Sequence, residues 1–202
     1  MVALKRLSSV MGHPTAYRLW QAPCAKAKFE PIVRHNDMSA VRRVLDVGCG
    51  PGTNAAWFAH TDYLGIDLNP DYVASARRRY RRSFEVADVC QYEVDATQRF
   101  DFILLNSLLH HIETDYALKI LRQLSEQLSP DGHIHILDLV LPSQRSVART
   151  LALGDRGDWP RPLDEWERIF TACYEPMVFE PYEIRACGVT LWNMVYFKGR
   201  RR

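Results

Sequence analysis

The 202-residue sequence predicts an α/β fold, a mostly parallel sheet wound on both faces by helices and closed by an antiparallel hairpin. Three observations carry this expectation. Short apolar runs alternate with segments of helical periodicity through the centre of the chain. Residues 100–105 are apolar almost throughout, which suits a strand covered on both faces. Two runs of β character, at about 177–186 and 189–197, meet at Cys187-Gly188 and read as a terminal hairpin.

The elements follow in order. Residues 1–40 read as helical, with breaks at Pro14, Pro23 and Pro31. The first strong strand is Arg43-Val44-Leu45-Asp46-Val47, followed by a glycine-rich turn and a helix over about 54–59. Tyr63-Leu64-Gly65-Ile66-Asp67 is the second strand. Asn69-Pro70 then starts a helix reaching about Arg82, since proline suits a first turn whose N–H has no helical partner. Residues 84–88 form a third strand and 100–105 a fourth. In 115–128, Ala117, Ile120, Leu121, Leu124 and Leu128 share one helical face. Pro130-Asp131-Gly132 ends that helix, and 133–141 is a fifth strand. Helices over 143–153 and 163–173 flank a loop at 154–162 before the hairpin.

Composition narrows the function. There are 26 Lys+Arg against 24 Asp+Glu, a net charge of +2, which argues against a dedicated nucleic-acid partner. The cysteines Cys24, Cys49, Cys90, Cys173 and Cys187 form no CxxC pair. Neither a disulfide framework nor a structural zinc site is expected, and the reading is of a reduced, cytoplasmic protein. The N-terminal MVALKRLSSVMGHP lacks the apolar core of a signal peptide, and runs such as 102–105 and 139–141 are too short to span a membrane. Nothing in the sequence sets the oligomeric state.

The segment VLDVGCGPGT carries the most chemistry. A strand ends, Gly48, Gly50 and Gly52 alternate, and a helix follows. Such a turn lets a ligand approach the backbone at the carboxyl end of a strand, where open α/β sheets bind ligands. The spacing GxGxG departs from the GxGxxG of dinucleotide sites, and no GK[ST] follows. Asp46 stands just before the turn, and its carboxylate would repel a pyrophosphate but suit an amine-bearing ligand. Asp67, at the end of the second strand, is placed to accept from both hydroxyls of a ribose. Asp88, at the end of the third, is placed to accept from an adenine amine, with the Val89 backbone beside it. Together they describe a pocket for adenosine carrying a charged amino-acid tail.

VLDVGCGPGT, GIDLNP, the Asp88 strand end and FDFILLNSLLHHI together resemble successive motifs of the class I S-adenosylmethionine-dependent methyltransferases, over roughly residues 40–141. The resemblance implies a Rossmann-like seven-stranded sheet of order 3-2-1-4-5-7-6 with the last strand antiparallel. It implies one domain, with 1–40 as a helical cap, 41–141 as the cofactor half, and 142–202 supplying the acceptor pocket and hairpin. Its cofactor would be S-adenosyl-L-methionine. Asp46, Gly48, Gly50 and Gly52 would line the methionine end. Asp67 would hold the ribose, Asp88 and Val89 the adenine, Asn106 would sit near the sulfonium, and Leu68 would also belong to the cofactor-binding set.

Histidine suits proton transfer near neutral pH, so His110 or His111 is the candidate base, and the sequence does not choose between them. Asp138, in an apolar strand, needs a partner or a polar cleft. With Tyr17, Trp20 and Trp159, it is a candidate for the acceptor pocket. No metal site is expected. Asn106-Ser107-Leu108-Leu109 departs from the [DN]PP[YF] pattern of enzymes that methylate base amines or glutamine amides. The expectation is a small-molecule or lipid-like acceptor methylated on oxygen or carbon. The alternatives are an RNA or protein methyltransferase, a non-catalytic cofactor-binding regulator and, more distantly, a nicotinamide-dependent oxidoreductase.

Overall fold

The computed structural model describes residues 14–202 except Arg156, and side chains from Ala25 onward except Ala96. Its centre is a seven-stranded sheet made of β1 (Arg43–Val47), β2 (Asp62–Asp67), β3 (Ser83–Val86), β4 (Phe100–Asn106), β5 (Leu128–Leu139), β6 (Tyr174–Ala186) and β7 (Val189–Arg201). The order is β3-β2-β1-β4-β5-β7-β6. Strands β1 to β5 are parallel, and β7 runs antiparallel to both β5 and β6. The expected strand order is therefore present. Among the described residues the helices are α1 (Pro14–His35), α2 (Pro70–Arg79), α3 (Thr114–Gln127), α4 (Val147–Gly154) and α5 (Leu163–Thr171).

Two cores flank the sheet because alternate strand residues face opposite sides. On one side Leu45, Val47, Ile103, Leu105, Ile134 and Ile136 pack with Ile120, Leu121 and Leu124 of α3 and Trp166 and Phe170 of α5. On the other, Val44, Phe102, Leu104 and Leu137 pack with Phe29 and Ile32 of α1 and Val73 and Ala76 of α2. The central strands β1 and β4 are thus buried on both faces, which is why β4 reads as an unbroken apolar run.

Several boundaries differ from the sequence expectation, each for a local reason. Helix α1 runs uninterrupted through Pro23 and Pro31. Each proline costs a ladder hydrogen bond, and burial of Phe29, Pro31 and Ile32 offsets that loss. After the glycine turn the chain forms only a 3-10 turn, Ala55–Phe58, in place of a helix. Asn54 makes no capping bond there; its amide is drawn instead to Asp46 and Asn106. Helix α2 stops at Arg79, short of Arg82. Strand β5 begins at Leu128, and Pro130-Asp131-Gly132 is an irregularity in its pairing with β4 between Leu128 and His133. Helix α4 starts at Val147, where the Ser146 hydroxyl accepts from the Arg149 N–H at 3.1 Å. The hairpin turns at Cys187 and Gly188, both with positive φ, as a tight two-residue connection requires.

Candidate active site

Parallel strands end together, so β1, β2, β3 and β4 present their carboxyl termini along one edge. The order reverses between β1 and β4, and that switch point is where an open sheet leaves a crevice. The glycine turn lies there. Gly48 has φ +68°, and a Cβ on it would come 2.8 Å from Leu108 Cδ1. Any side chain would push Leu108 out of the crevice. Gly52 has φ +79°, and its Cβ would meet Tyr80, Ala76 and Phe84 at 3.0–3.1 Å. Its role is therefore to let α2 and β3 close on the turn.

A cleft of about 220 Å³ opens beside the turn. Gly48, Asp67, Leu68, Asp88 and Val89 border it on one side, and Leu108, Ile112, Tyr116 and Ile120 on the other. Asp67 sits at the end of β2. Its Oδ2 accepts from the Gly50 N–H and its Oδ1 from the Asn69 N–H, both at 2.8 Å. Two fixed donors orient the carboxylate and leave a further lone pair on each oxygen. Burial raises its pKa above the ordinary carboxylate value, against those two bonds. Asp88 lies two residues beyond the end of β3. It is fixed by the Cys90 N–H at 2.9 Å and the Gln91 amide at 3.3 Å. Apart from Asp67, Asp88 and the Tyr116 hydroxyl, the lining side chains are apolar.

Asp46, Gly50, Gly52 and Asn106 do not border this cleft. Asp46 is fully buried and accepts from the Tyr63 hydroxyl at 2.6 Å and from the Asn54 amide at 3.2 Å. Burial pushes its carboxyl up to about 7, although both hydrogen bonds oppose this. The Asn54 carbonyl accepts from the Asn106 amide at 2.9 Å. The Ser107 hydroxyl donates to Asn106 Oδ1 at 3.4 Å, and Lys28 Nζ donates to Ser107 Oγ at 2.9 Å. A continuous polar chain thus runs from β2 through the ends of β1 and β4 to helix α1.

The two histidines follow on a 3-10 turn, Leu109–His111. His110 is buried. Its Nδ1 donates to Asp138 Oδ1 at 2.6 Å and its Nε2 to Asp155 Oδ2 at 3.0 Å. Burial pulls its pKa down, but the two carboxylates outweigh this and raise it to about 9. His110 is therefore an imidazolium with both nitrogens engaged. His111 is exposed, its ring 4.1 Å from that of His110. The two residues that the sequence leaves equivalent are placed in opposite surroundings.

Asp138 is fully enclosed and does not open onto a cleft. Besides His110, its oxygens accept from the Leu109 N–H at 2.8 Å and the Leu139 N–H at 2.7 Å. The partner it needs is thus internal. Trp159 is 44% exposed, and its backbone N–H donates to the His110 carbonyl at 2.9 Å. The side chains of Tyr17 and Trp20 lie outside the described residues.

Sequence reading missed several members of the site. Arg161, only 3% exposed, donates to the carbonyls of Leu109 at 3.0 Å and Ile112 at 2.6 Å and to the Thr114 hydroxyl. It clamps the histidine turn against the loop that follows α4. Asn54, Tyr63, Lys28, Ser107 and Asp155 were missed as well. The one local signal was a run of polar types at a strand end, in Asn106-Ser107; the others come together only through the tertiary fold.

Residues 44–132 match the model of a methyltransferase domain. Methyltransferase GfsG of Streptomyces halstedii is 32% identical over 123 residues, covering 55% of this chain and 43% of that protein. A trans-aconitate 2-methyltransferase of Methylobacterium nodulans is 31% identical over 120 residues, 55% of this chain and 45% of that one. The chain thus spans under half the length of these curated relatives. The solved structure of Burkholderia thailandensis 1,6-didemethyltoxoflavin-N1-methyltransferase, with its acceptor and S-adenosylhomocysteine bound, aligns with TM-score 0.68 at 21% identity over 98% of this chain and 88% of that one. Motif segment, strand order and crevice agree with that match, and residues 44–132 are similar to a methyltransferase domain.

Proposed function

We propose that the chain is a methyltransferase that uses S-adenosyl-L-methionine and methylates an oxygen or carbon of a small metabolite or lipid-like acceptor. The observation that carries this reading is the pair of fixed carboxylates, Asp67 and Asp88, at one apolar cleft on the carboxyl edge of the sheet. Among the described residues, no Lys or Arg borders that cleft. The site fits a nucleoside better than a nucleotide, because a carboxylate favours hydroxyl and amine donors and repels phosphate. When bound, S-adenosylmethionine supplies the activated methyl group and its leaving group.

The protein's own part is positioning. Asp67, held by two backbone donors, accepts the ribose hydroxyls without reorganising. Asp88 and the Val89 backbone face the base. Leu108, Ile112 and Ile120 exclude water from the cleft, and alignment with a dry site accounts for much of the rate in such displacements. His110, engaged at both nitrogens, holds the turn; His111, exposed beside it, takes a proton where the acceptor must lose one.

A small acceptor is supported by the relative named for trans-aconitate and the structural neighbour named for 1,6-didemethyltoxoflavin, and the absence of a [DN]PP[YF] segment after β4 counts against a base-amine or glutamine-amide acceptor. We further place the chain in the cytoplasm as one functional domain, consistent with its cysteine usage. No helix among the described residues is long and apolar enough to cross a membrane.

Calorimetry tests the reading. S-adenosylhomocysteine should bind and NADH should not; the reverse would replace the methyltransferase with an oxidoreductase. Asp67→Ala should weaken S-adenosylhomocysteine by about 1.5–3 kcal/mol, the worth of hydrogen bonds to a charged group. Unchanged affinity would remove Asp67 from the ribose site.

A further inference from the structure

We propose that His110, His111 and Asp155 form a binding site for a divalent transition-metal ion, with Asp138 as the carboxylate behind it. The proposal goes beyond the methyltransferase reading. One nitrogen from each ring and one carboxylate oxygen lie within 4.8 Å of one another. His110 Nε2 and Asp155 Oδ2 are 3.0 Å apart. Two ligands at right angles, each about 2.1 Å from one ion, are separated by about 3.0 Å. The pair that shares a proton is thus spaced as adjacent metal ligands are. His111 is exposed, and its ring closes the remaining distance by rotating about its own side-chain bonds.

The loop after α4 brings these donors together. Asp155 and His110 are 45 positions apart in the chain. Gly157 permits their approach, because a Cβ on it would run into the His110 ring and come 2.6 Å from the His110 carbonyl oxygen. The Trp159 N–H donates to that same oxygen at 2.9 Å. Arg161 donates to the carbonyls of Leu109 and Ile112, on either side of the two histidines. The histidine turn and the Asp155 loop are therefore pinned to each other at several points. The sequence suggests no metal site because the third donor lies far outside the His-His segment.

The donors select the ion. A metal-ligating imidazole ordinarily gives its other N–H to a carboxylate, which fixes the ring and its tautomer. His110 Nδ1 donates to Asp138 Oδ1 at 2.6 Å, and Asp138 is held in turn by the Leu109 and Leu139 N–H groups. Two imidazoles and a carboxylate suit zinc and neighbouring first-row ions, whereas magnesium and calcium prefer oxygen throughout. With the ion bound both rings are neutral, and the ion supplies the counter-charge that the ring proton supplies without it. Three protein donors leave a coordination position open for an oxygen ligand. Leu108 and Ile112, which flank the histidines, line the cleft, so the site adjoins the crevice. In the loaded site His111 is a ligand, and ion-bound water, acidified by the charge, takes over the proton acceptance assigned to His111 in the metal-free protein.

The full chain, freed of metal by dialysis against a chelator, is titrated with Co²⁺ by visible absorption and with Zn²⁺ and Mg²⁺ by calorimetry. One Co²⁺ per chain should bind, with the d–d bands of a nitrogen and oxygen ligand set and no thiolate charge-transfer band. Zn²⁺ should displace it and Mg²⁺ should not. His111→Ala and Asp155→Asn should each weaken Co²⁺ and Zn²⁺ roughly 100-fold, since loss of a carboxylate behind the ligands already costs about 10- to 100-fold. His133→Ala, a histidine of β5 outside the cluster, should stay within about twofold. His111 is exposed, so His111→Ala decides even if Asp155→Asn does not fold. No saturable binding of Co²⁺ or Zn²⁺ overturns the proposal. So does binding that survives in His111→Ala, or a thiolate band, which would assign the ion to a cysteine. The titrations need no cofactor, so they decide independently of the methyltransferase reading.

Discussion

His110 shows how one side chain turns charge into structure. Burial alone would favour the neutral ring, yet Asp138 and Asp155 hold both nitrogens and raise its pKa to about 9. The unfolded ring titrates near 6.5. A group with a raised folded pKa contributes stability in full below its unfolded value and loses it as pH rises through the folded one. The window here is therefore about 6.5 to 9. Denaturant midpoints of the unsubstituted protein should fall across that range, and His110→Gln should flatten the fall. A slope that survives in His110→Gln would assign the pH dependence to another group. The same pairing explains why sequence could not choose between the histidines. His110 and His111 are adjacent and identical in type, and only Asp138, 28 residues on, and Asp155, 45 residues on, separate their roles.

At the scale of elements, the glycine turn works through the space that its glycines leave empty. Gly52→Ala would hold an L side chain at φ +79° and press its Cβ to 3.0–3.1 Å from Tyr80, Ala76 and Phe84. Both effects act on the packing of α2 and β3 against β1, so the cost should be about 1–3 kcal/mol of folding stability. Equilibrium unfolding measures this, and a loss below about 0.5 kcal/mol would mean that the turn relaxes freely. This turn also marks where sequence reading succeeds and fails. Strands β1 to β4, α3 and the hairpin were legible because alternation, helical periodicity and turn residues act over a few neighbours. The cleft acids Asp67 and Asp88 were legible because strand ends are local signals. The helix expected after Gly52 was not found, because Asn54 bonds to Asp46 and Asn106 rather than capping. The breaks expected at Pro23 and Pro31 were absent because docking of α1 outweighs two missing hydrogen bonds. Arg161 and Lys28 were invisible, since each acts on residues more than 45 positions away.

The molecule as a whole joins a motif-bearing sheet to segments with no recognisable motif. Helix α1 is the clearest of these joins. Phe29 stacks on Trp57 at 4.6 Å and meets Phe58 edge-on at 5.9 Å, so the helix docks on the 3-10 turn behind the glycine loop. Tyr182 of β6 bonds to the Lys28 carbonyl, and Asn36, just past the helix, bonds to the Tyr196 hydroxyl of β7 at 3.0 Å. Helix α1 therefore touches both the 3-10 turn behind the glycine loop and the terminal hairpin, although neither neighbours it in sequence. Phe29 is buried at 1% exposure, so Phe29→Ala should cost about 3–5 kcal/mol, the usual penalty for emptying a buried aromatic site. The loss should be uneven. Strands β1 to β5 keep their own packing through α3 and α5, so α1 should open first, in a sub-global step. Limited trypsin digestion should then cut at Lys26, Lys28 or Arg34 in the variant under conditions where the sheet stays intact. Amide exchange in β4 should remain slow. Cleavage spread evenly over the chain would show that α1 and the sheet unfold as one unit, and unchanged stability would show that Phe29 does not hold the cap.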